Sequence, residues 1–427
     1  MGVSSIAMEK GGLSMHASTH AATHLSLRLF PAARMRYRYK RHYLRETCMT
    51  SPALRKAVIC GYKRSPFTFA SKGALARTRP DDMAAAVIRA LVAETGIDPA
   101  VIEDLILGNA FPEGEQGFNL GRIVAVAAGL PVSVGGITVN RWCGSSMSAI
   151  HYAAAQIAAG QGDVFVCGGV ESMTRVPMGG FNPMPNPALK DTYPQIYMGM
   201  GETAENLAKK YGIPRAEQEK FALSSQKKAA AARESGKFRD EIVPIAGVAE
   251  DGCIRPDTTL EALAGLKPAF DEKGSVTAGT ASPLTDGAAA VLVASEDYAK
   301  AHKLPVLARI LAFASTGCDA EIMGIGPVPA TQKALKRAGL TMKDIDIVEL
   351  NEAFAAQSLP VIRDLGIDEG KLNLDGGAIA LGHPLGASGA RITGKLASLL
   401  RREKKKIGLA TACIGGGQGV ATIIEAA

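Results

Sequence analysis

Four short stretches carry side chains able to do chemistry. The first is Val139-Asn-Arg-Trp-Cys-Gly-Ser-Ser-Met147, centred on the thiol of Cys143. The second is Asn351-Glu-Ala-Phe-Ala355, which offers the amide of Asn351. The third, Gly376-Gly-Ala-Ile-Ala-Leu-Gly-His-Pro-Leu-Gly386, sets His383 between Gly382 and Pro384 in a loop built for close approach. The fourth, Cys413-Ile-Gly-Gly-Gly-Gln-Gly419, sets a second thiol beside flexible backbone N–H groups able to hold an oxyanion. A thiol, an imidazole, an amide and a second thiol suit acyl transfer through a thioester. Each also has a plain structural reading. Cys143 and Cys413 could be core cysteines, and Asn351 could bond local backbone at a strand end. The other histidines beyond residue 48 are His151, inside a helical pattern, and His302, beside Lys303. Both read as structural or surface residues.

The elements around these residues follow from their periodicity. Residues 136–140 read as a buried strand leading to Cys143. After it, Met147, Ile150, Ala154 and Ile157 draw one apolar stripe of a helix, ended by Gly160 and Gly162. Cys143 therefore sits at or just before a helix N-terminus, where unpaired N–H groups favour a thiolate. Gly144 lets the backbone crowd a ligand. Residues 345–350 form a strand whose carboxyl end presents Asn351 to a site.

Along the chain, residues 57–61 read as a buried strand with Cys60 in the core. Residues 81–95 read as a helix with Met83, Val87, Leu91 and Val92 on one stripe. Strands alternating with helices imply an α/β unit with a largely parallel sheet. Residues 172–280 differ. They hold a loop over 178–186 and a helix from Pro214 to about Glu234, with Lys227, Lys228 and Arg233 on a solvated face. This region reads as an insertion over the α/β unit. From about Leu304 a second α/β unit begins. In both units a glycine-led helix, at Gly144 and Gly386, precedes a strand by about twenty residues, which suggests a duplication.

Composition bounds the rest. A chain of 427 residues that is 47% hydrophobic and 21% charged is globular, of two to three domain-sized units. No apolar run approaches the ~18 residues of a membrane span. The net charge of +7 sits mostly in residues 1–48, where eight Lys or Arg face two acids. The remainder carries a surplus of one, and aromatics are only 5%. Both facts argue against nucleic-acid binding. Residues 1–48 are Arg-rich and acid-poor, like a mitochondrial presequence, but lack its clean apolar face. The preferred reading is a leader that is unstructured or not translated. Seven widely spaced cysteines without C-x-x-C speak for a reducing compartment and against a disulfide frame or a metal site.

From about Ala57 to Ala427 the chain resembles the thiolase family: the four stretches match that family's signatures in order. Arg141-Trp-Cys-Gly-Ser-Ser-Met147 and Gly168-Gly-Val-Glu-Ser-Met173 are similar to its degradative, fatty-acid-oxidising branch. The resemblance implies an α/β fold of two duplicated halves in a layered αβαβα core. The N-terminal half would take 55–171 and 281–302, an inserted loop domain 172–280, and the C-terminal half 303–427. It implies CoA-dependent thiolytic cleavage of 3-ketoacyl-CoA to acetyl-CoA and a shortened acyl-CoA, with CoA as co-substrate and no cofactor. Cys143 would be the nucleophile, His383 its base and Cys413 the acid/base. Asn351 would hold a water, and the N–H groups of Cys143 and Gly415 would hold the thioester oxygen. Arg255 and Ser282 would contact CoA. Acetoacetyl-specific members tend to carry a histidine where Met178 stands, so a broader acyl pocket is expected. The family also implies a homodimer or homotetramer, a hydratase/dehydrogenase subunit as partner, and a cytoplasmic setting, or a mitochondrial one if the leader is a presequence. The rival readings are a biosynthetic acetoacetyl-CoA thiolase and a non-catalytic acyl-CoA or lipid binder.

Overall fold

The computed structural model describes residues 54–427, so the expectations for residues 1–48 lie outside it. The described residues open with β1 (Ala57–Arg64), buried throughout, and the two-residue β2 (Thr68–Phe69). Then come α1 (Pro80–Thr95), β3 (Asp104–Gly108), α2 (Leu120–Ala127), β4 (Gly135–Val139), α3 (Ser145–Ala158) and β5 (Val164–Ser172). The next hundred residues contribute α4 (Pro187–Thr192), α5 (Met200–Tyr211), α6 (Arg215–Glu234) and α7 (Leu260–Ala264). The chain re-enters the sheet as β6 (Thr285–Ser295), followed by α8 (Glu296–Ala301), β7 (Ala308–Gly317), α9 (Pro327–Ala338) and β8 (Ile347–Leu350). It ends with α10 (Ala355–Leu365), α11 (Ala378–Leu381), α12 (Leu385–Arg402), β9 (Ile407–Ile414) and β10 (Gln418–Ala426).

Local chemistry explains these elements. In α1, Pro80 starts the helix, Asp81 and Asp82 complement its dipole, and Gly96 closes it at φ +65°. Met83, Val87 and Leu91 on its stripe are buried. In α3 the whole predicted stripe of Met147, Ile150, Ala154 and Ile157 is buried.

The strands run in the order β4-β3-β5-β6-β1-β7-β10-β9-β8, with β2 on β6. Only Val58 and Ile59 of β1 pair with β7, so a narrow joint links two half-sheets. Helices α1 and α2 cover the outer face of the first half and α9 that of the second. Helices α3 and α12 pack on each other between the halves, which makes five layers, αβαβα. They meet so closely that a Cβ on Gly389 would lie 2.3 Å from the Met147 nitrogen.

Three expectations are corrected. The sheet is mixed, not largely parallel. Among the described strands only β3/β4, β3/β5 and β8/β9 run parallel, and the other pairings are antiparallel. The reason is topological: β6 returns after α7 against β5 and β1, and β10 folds back on β9 through a turn at Gly416 and Gly417, both at positive φ. The strand before Cys143 is also not buried. Among the described residues β4 is the outermost strand and pairs on one edge only, and Ile137 is 45% exposed. Lys228 departs from the solvated face expected of it, since its ammonium bonds the Leu372 carbonyl at 2.8 Å.

Candidate active site

Cys143 follows β4 on a single tight turn, Trp142–Gly144, before α3 begins. Trp142 has φ +42°, a conformation costly for a bulky residue. Hydrogen bonds hold this elbow in place. Asn140 Oδ1 accepts from Trp142 N at 2.9 Å, and Ser145 Oγ accepts from Arg141 N at 2.9 Å while donating to the Trp142 carbonyl at 2.6 Å. Gly144 makes room for protein and not for a ligand. A Cβ there would lie 2.5 Å from Ile414 Cδ1.

Cys143, His383, Cys413, Gly415 and Ser282 line one cleft of about 770 Å³. Cys413 ends β9 and Gly415 lies in the turn beyond it. His383 stands just before α12. Asn351, one residue past β8, reaches His383, with its Nδ2 3.2 Å from Nε2. Six methionines, at 173, 178, 184, 198, 200 and 323, join Phe111, Trp142, Phe270 and Phe354 on the cleft walls. Arg255 is not on these walls. Its backbone N–H bonds Gln226 Oε1 at 2.8 Å, which ties its loop to α6. His151 is buried and structural, with Nε2 2.7 Å from Thr422 Oγ1 and its ring stacked on Phe313. His302 is exposed and stacks on Tyr298.

The electrostatics correct the expected thiolate. Burial pushes the Cys143 thiol up to about 12. The backbone N–H groups of Gly415 and Cys143 itself point at the sulfur and offset this in part, while the Glu171 carboxylate raises it further. A helix start favours a thiolate only where the desolvation it offsets is small, and here burial wins. Burial, followed by the nearby Arg391 charge, pulls His383 down to about 3, so the ring is neutral at physiological pH. Cys413 is raised well above its ordinary value by burial first and then by the neighbouring Cys143. The site therefore rests as two thiols and a neutral imidazole.

Residues that sequence reasoning did not single out hold this arrangement. Ser388 Oγ lies 2.5 Å from His383 Nδ1 and donates to the Pro384 carbonyl at 2.9 Å. Thr285 Oγ1 accepts from the His383 backbone N–H at 3.1 Å. Glu171, fully buried in β5, accepts from five donors. An acid directly after the apolar run of residues 164–170 was the available signal. Among the described residues, no group of three His, Cys, Asp or Glu is placed to hold a metal, and no helix is long and apolar enough to cross a membrane.

A layered αβαβα fold with two thiols and a histidine on one cleft defines a class, and the comparisons agree with it. The family model described as Thiolase, N-terminal domain, matches residues 57–297, and Thiolase, C-terminal domain, matches residues 304–426. The chain belongs to the thiolase family. It is 51% identical over 389 residues to a 3-ketoacyl-CoA thiolase of Shewanella loihica, covering 88% of this chain and 100% of that one. It is 46% identical over 389 residues to a 3-ketoacyl-CoA thiolase of Bacillus subtilis, covering 87% and 100%. Among solved structures, human mitochondrial 3-ketoacyl-CoA thiolase in complex with CoA superposes with a TM-score of 0.82 at 42% identity, covering 88% and 99%. The acetyl-CoA acetyltransferase of Bacillus anthracis gives 0.82 at 42%, covering 88% and 100%.

Proposed function

We propose that this protein cleaves 3-ketoacyl-CoA with CoA, releasing acetyl-CoA and an acyl-CoA two carbons shorter. The carrying observation is the cleft that brings both thiols, the histidine and the Gly415 turn together under apolar walls. In this reading His383 Nε2 takes the Cys143 proton as the sulfur attacks the 3-keto carbon. The carbon–carbon bond then breaks, leaving a thioester on Cys143 and an acetyl-CoA enolate. Imidazolium His383 and a water on Asn351 stabilise the enolate oxygen. Asn351 Oδ1 has no protein partner, which supports that role. Cys413 protonates the enolate carbon, then takes the proton of incoming CoA, whose thiolate releases the acyl group. The N–H groups of Cys143 and Gly415, already aimed at the sulfur, suit the thioester oxygen. Ser282 contacts CoA from the cleft wall. Arg255 does so from outside the wall, at the nucleotide end.

The methionine-rich wall supports acyl chains of more than one length, because Met side chains repack readily. Met178 stands there at 48% exposed, where a pocket histidine would favour acetoacetyl-CoA. Assembly as a homodimer or homotetramer is part of the reading. The open edge of β4, with exposed Ile137 and with Phe118, Val126 and Val132 exposed nearby in sequence, favours a second copy there. A cytoplasmic setting and a hydratase/dehydrogenase partner belong to the same reading. Free Cys60, Cys143, Cys167, Cys253, Cys318 and Cys413 fit a reducing compartment. The test is CoA-dependent loss of 3-ketoacyl-CoA absorbance across a series of acyl lengths. Turnover confined to acetoacetyl-CoA would favour the biosynthetic reading, and no turnover at any length the non-catalytic one.

A further inference from the structure

Glu171 is fully buried near the end of β5, and the chemistry proposed above does not use it. Its Oε2 accepts from Ala110 N at 2.8 Å and from Gly386 N at 2.9 Å. Its Oε1 accepts from Gln116 Nε2 at 2.8 Å, Asn109 Nδ2 at 3.1 Å and Phe111 N at 3.3 Å. Five donors and no acceptor surround the group, so its hydrogen bonding suits a carboxylate. The donors come from two places. Four lie in the 109–116 loop, whose Phe111 lines the cleft. The fifth is in the first turn of α12, three residues beyond His383.

Helix α12 has no side-chain cap of its own, since Pro384 occupies that position. Glu171 supplies the anion that an N-terminus favours, from the opposite half of the molecule. The approach depends on glycine at both surfaces. A Cβ on Gly169 would lie 2.0 Å from the Gly386 carbonyl oxygen, and one on Gly386 would lie 2.6 Å from the Val170 carbonyl oxygen.

We propose that Glu171 is a positioning residue for the Cys143–His383 pair: its carboxylate clamps the His383-bearing end of α12 onto the 109–116 loop and sets the electrostatic field at Cys143. This inference rests on the thiolytic reading. The other titratable groups around the pair are Cys413 beside Cys143, Arg391 toward His383, and Glu349, which pairs with Arg391 at 3.1 Å. Beside Glu171 itself, Asp286 of β6 bonds Ser172, and Glu115 pairs with Arg175 in the same loop region. Burial pushes Glu171 up to about 7, so it is charged in the alkaline range where Cys143 titrates. A negative charge there opposes the Cys143 thiolate.

Two variants test this with opposite signs. Glu171→Gln removes the charge. The pH midpoint for alkylation of Cys143 by iodoacetamide, followed by peptide mapping, should move down by about one unit. Thiolysis kcat should fall roughly tenfold or more, with KM for the ketoacyl-CoA changed little. Gln116→Met removes one donor and leaves the carboxylate less compensated, so its alkylation midpoint should move up. If Glu171→Gln does not fold, Gln116→Met decides alone. Profiles that overlay wild type in the folded variants, with activity falling only as thermal stability falls, would reduce Glu171 to packing and overturn the proposal. Alkylation reports on Cys143 without turnover. Shifted profiles in a protein that never cleaves ketoacyl-CoA would therefore sink the thiolytic reading while supporting the placement of Glu171.

Discussion

Ser388 Oγ sits 2.5 Å from His383 Nδ1 and, with its single proton, donates to the Pro384 carbonyl at 2.9 Å. With the serine proton directed to that carbonyl, the geometry suits a ring hydrogen on Nδ1 and a lone pair on Nε2. Asn351 Nδ2, 3.2 Å from Nε2, fits as its donor. The serine one turn into α12 thus favours the tautomer in which Nε2 is a base. Ser388→Ala frees the ring to take the other tautomer. Thiolysis kcat should fall roughly tenfold, the equivalent of one hydrogen bond of about 1–2 kcal/mol, with KM little changed. Steady-state kinetics check this, and an unchanged kcat would mean that the tautomer is set elsewhere.

Cys143→Ala should abolish thiolysis without unfolding the protein, because it removes one sulfur atom from a packed apolar cluster and leaves the backbone unchanged. Mass spectrometry after incubation with a ketoacyl-CoA should find the wild-type acyl adduct on Cys143. An adduct on Cys413 would exchange the two assignments.

Cys413→Ala separates the roles of the thiols. The variant should still acylate Cys143 slowly but lose hydrogen exchange at C2 of acetyl-CoA, since only the acid/base handles that proton. A loss of roughly 10²–10⁴-fold is expected for a positioned acid/base. Exchange at the wild-type rate would make Cys413 structural and direct attention to His383.

Asp375, itself buried, anchors two cations, accepting from Lys395 at 2.8 Å and from Arg402 at 2.6 Å. These cations outweigh its burial and hold the carboxyl down to about 2 against an ordinary 3.8. A depressed acid contributes stability that is complete above the ordinary value and lost as pH falls through the folded one. That window runs from about pH 4 to 2. Asp375→Asn should cost about 2 kcal/mol at neutral pH and flatten the pH dependence in this window. Urea unfolding at pH 7 and at pH 3 measures it.

His151 and His383 are both drawn down by burial to about 3 from an ordinary 6.5. The unfolded chain takes up these two protons first, so stability should fall as pH drops from about 6.5 towards 3. His151→Phe removes one proton from that linkage and should make the decline shallower. A slope identical to wild type between pH 6 and 4 would show that His151 is not buried neutral in solution.

What the sequence alone determined is local. The stripe of α3 follows from a 3.6-residue period, α6 from its unbroken helix formers after Pro214, and the reactive stretches from rare residue types among glycines. These signals lie within a dozen or so neighbouring residues, so they survive without tertiary knowledge. Strand direction does not: β6 and β10 run antiparallel to their neighbours because of where the chain returns, which no strand's own composition records. Nor does exposure, since the apolar pattern of β4 is the same at a sheet edge as at its centre. A helix start before Cys143 suggested a thiolate, and only the depth of burial in the folded site reversed that balance. Glu171 gathers its donors across 55 residues to Gln116 and 215 to Gly386. Such a buried carboxylate acquires its meaning only when distant backbone N–H groups converge on it, and that convergence belongs to the tertiary structure.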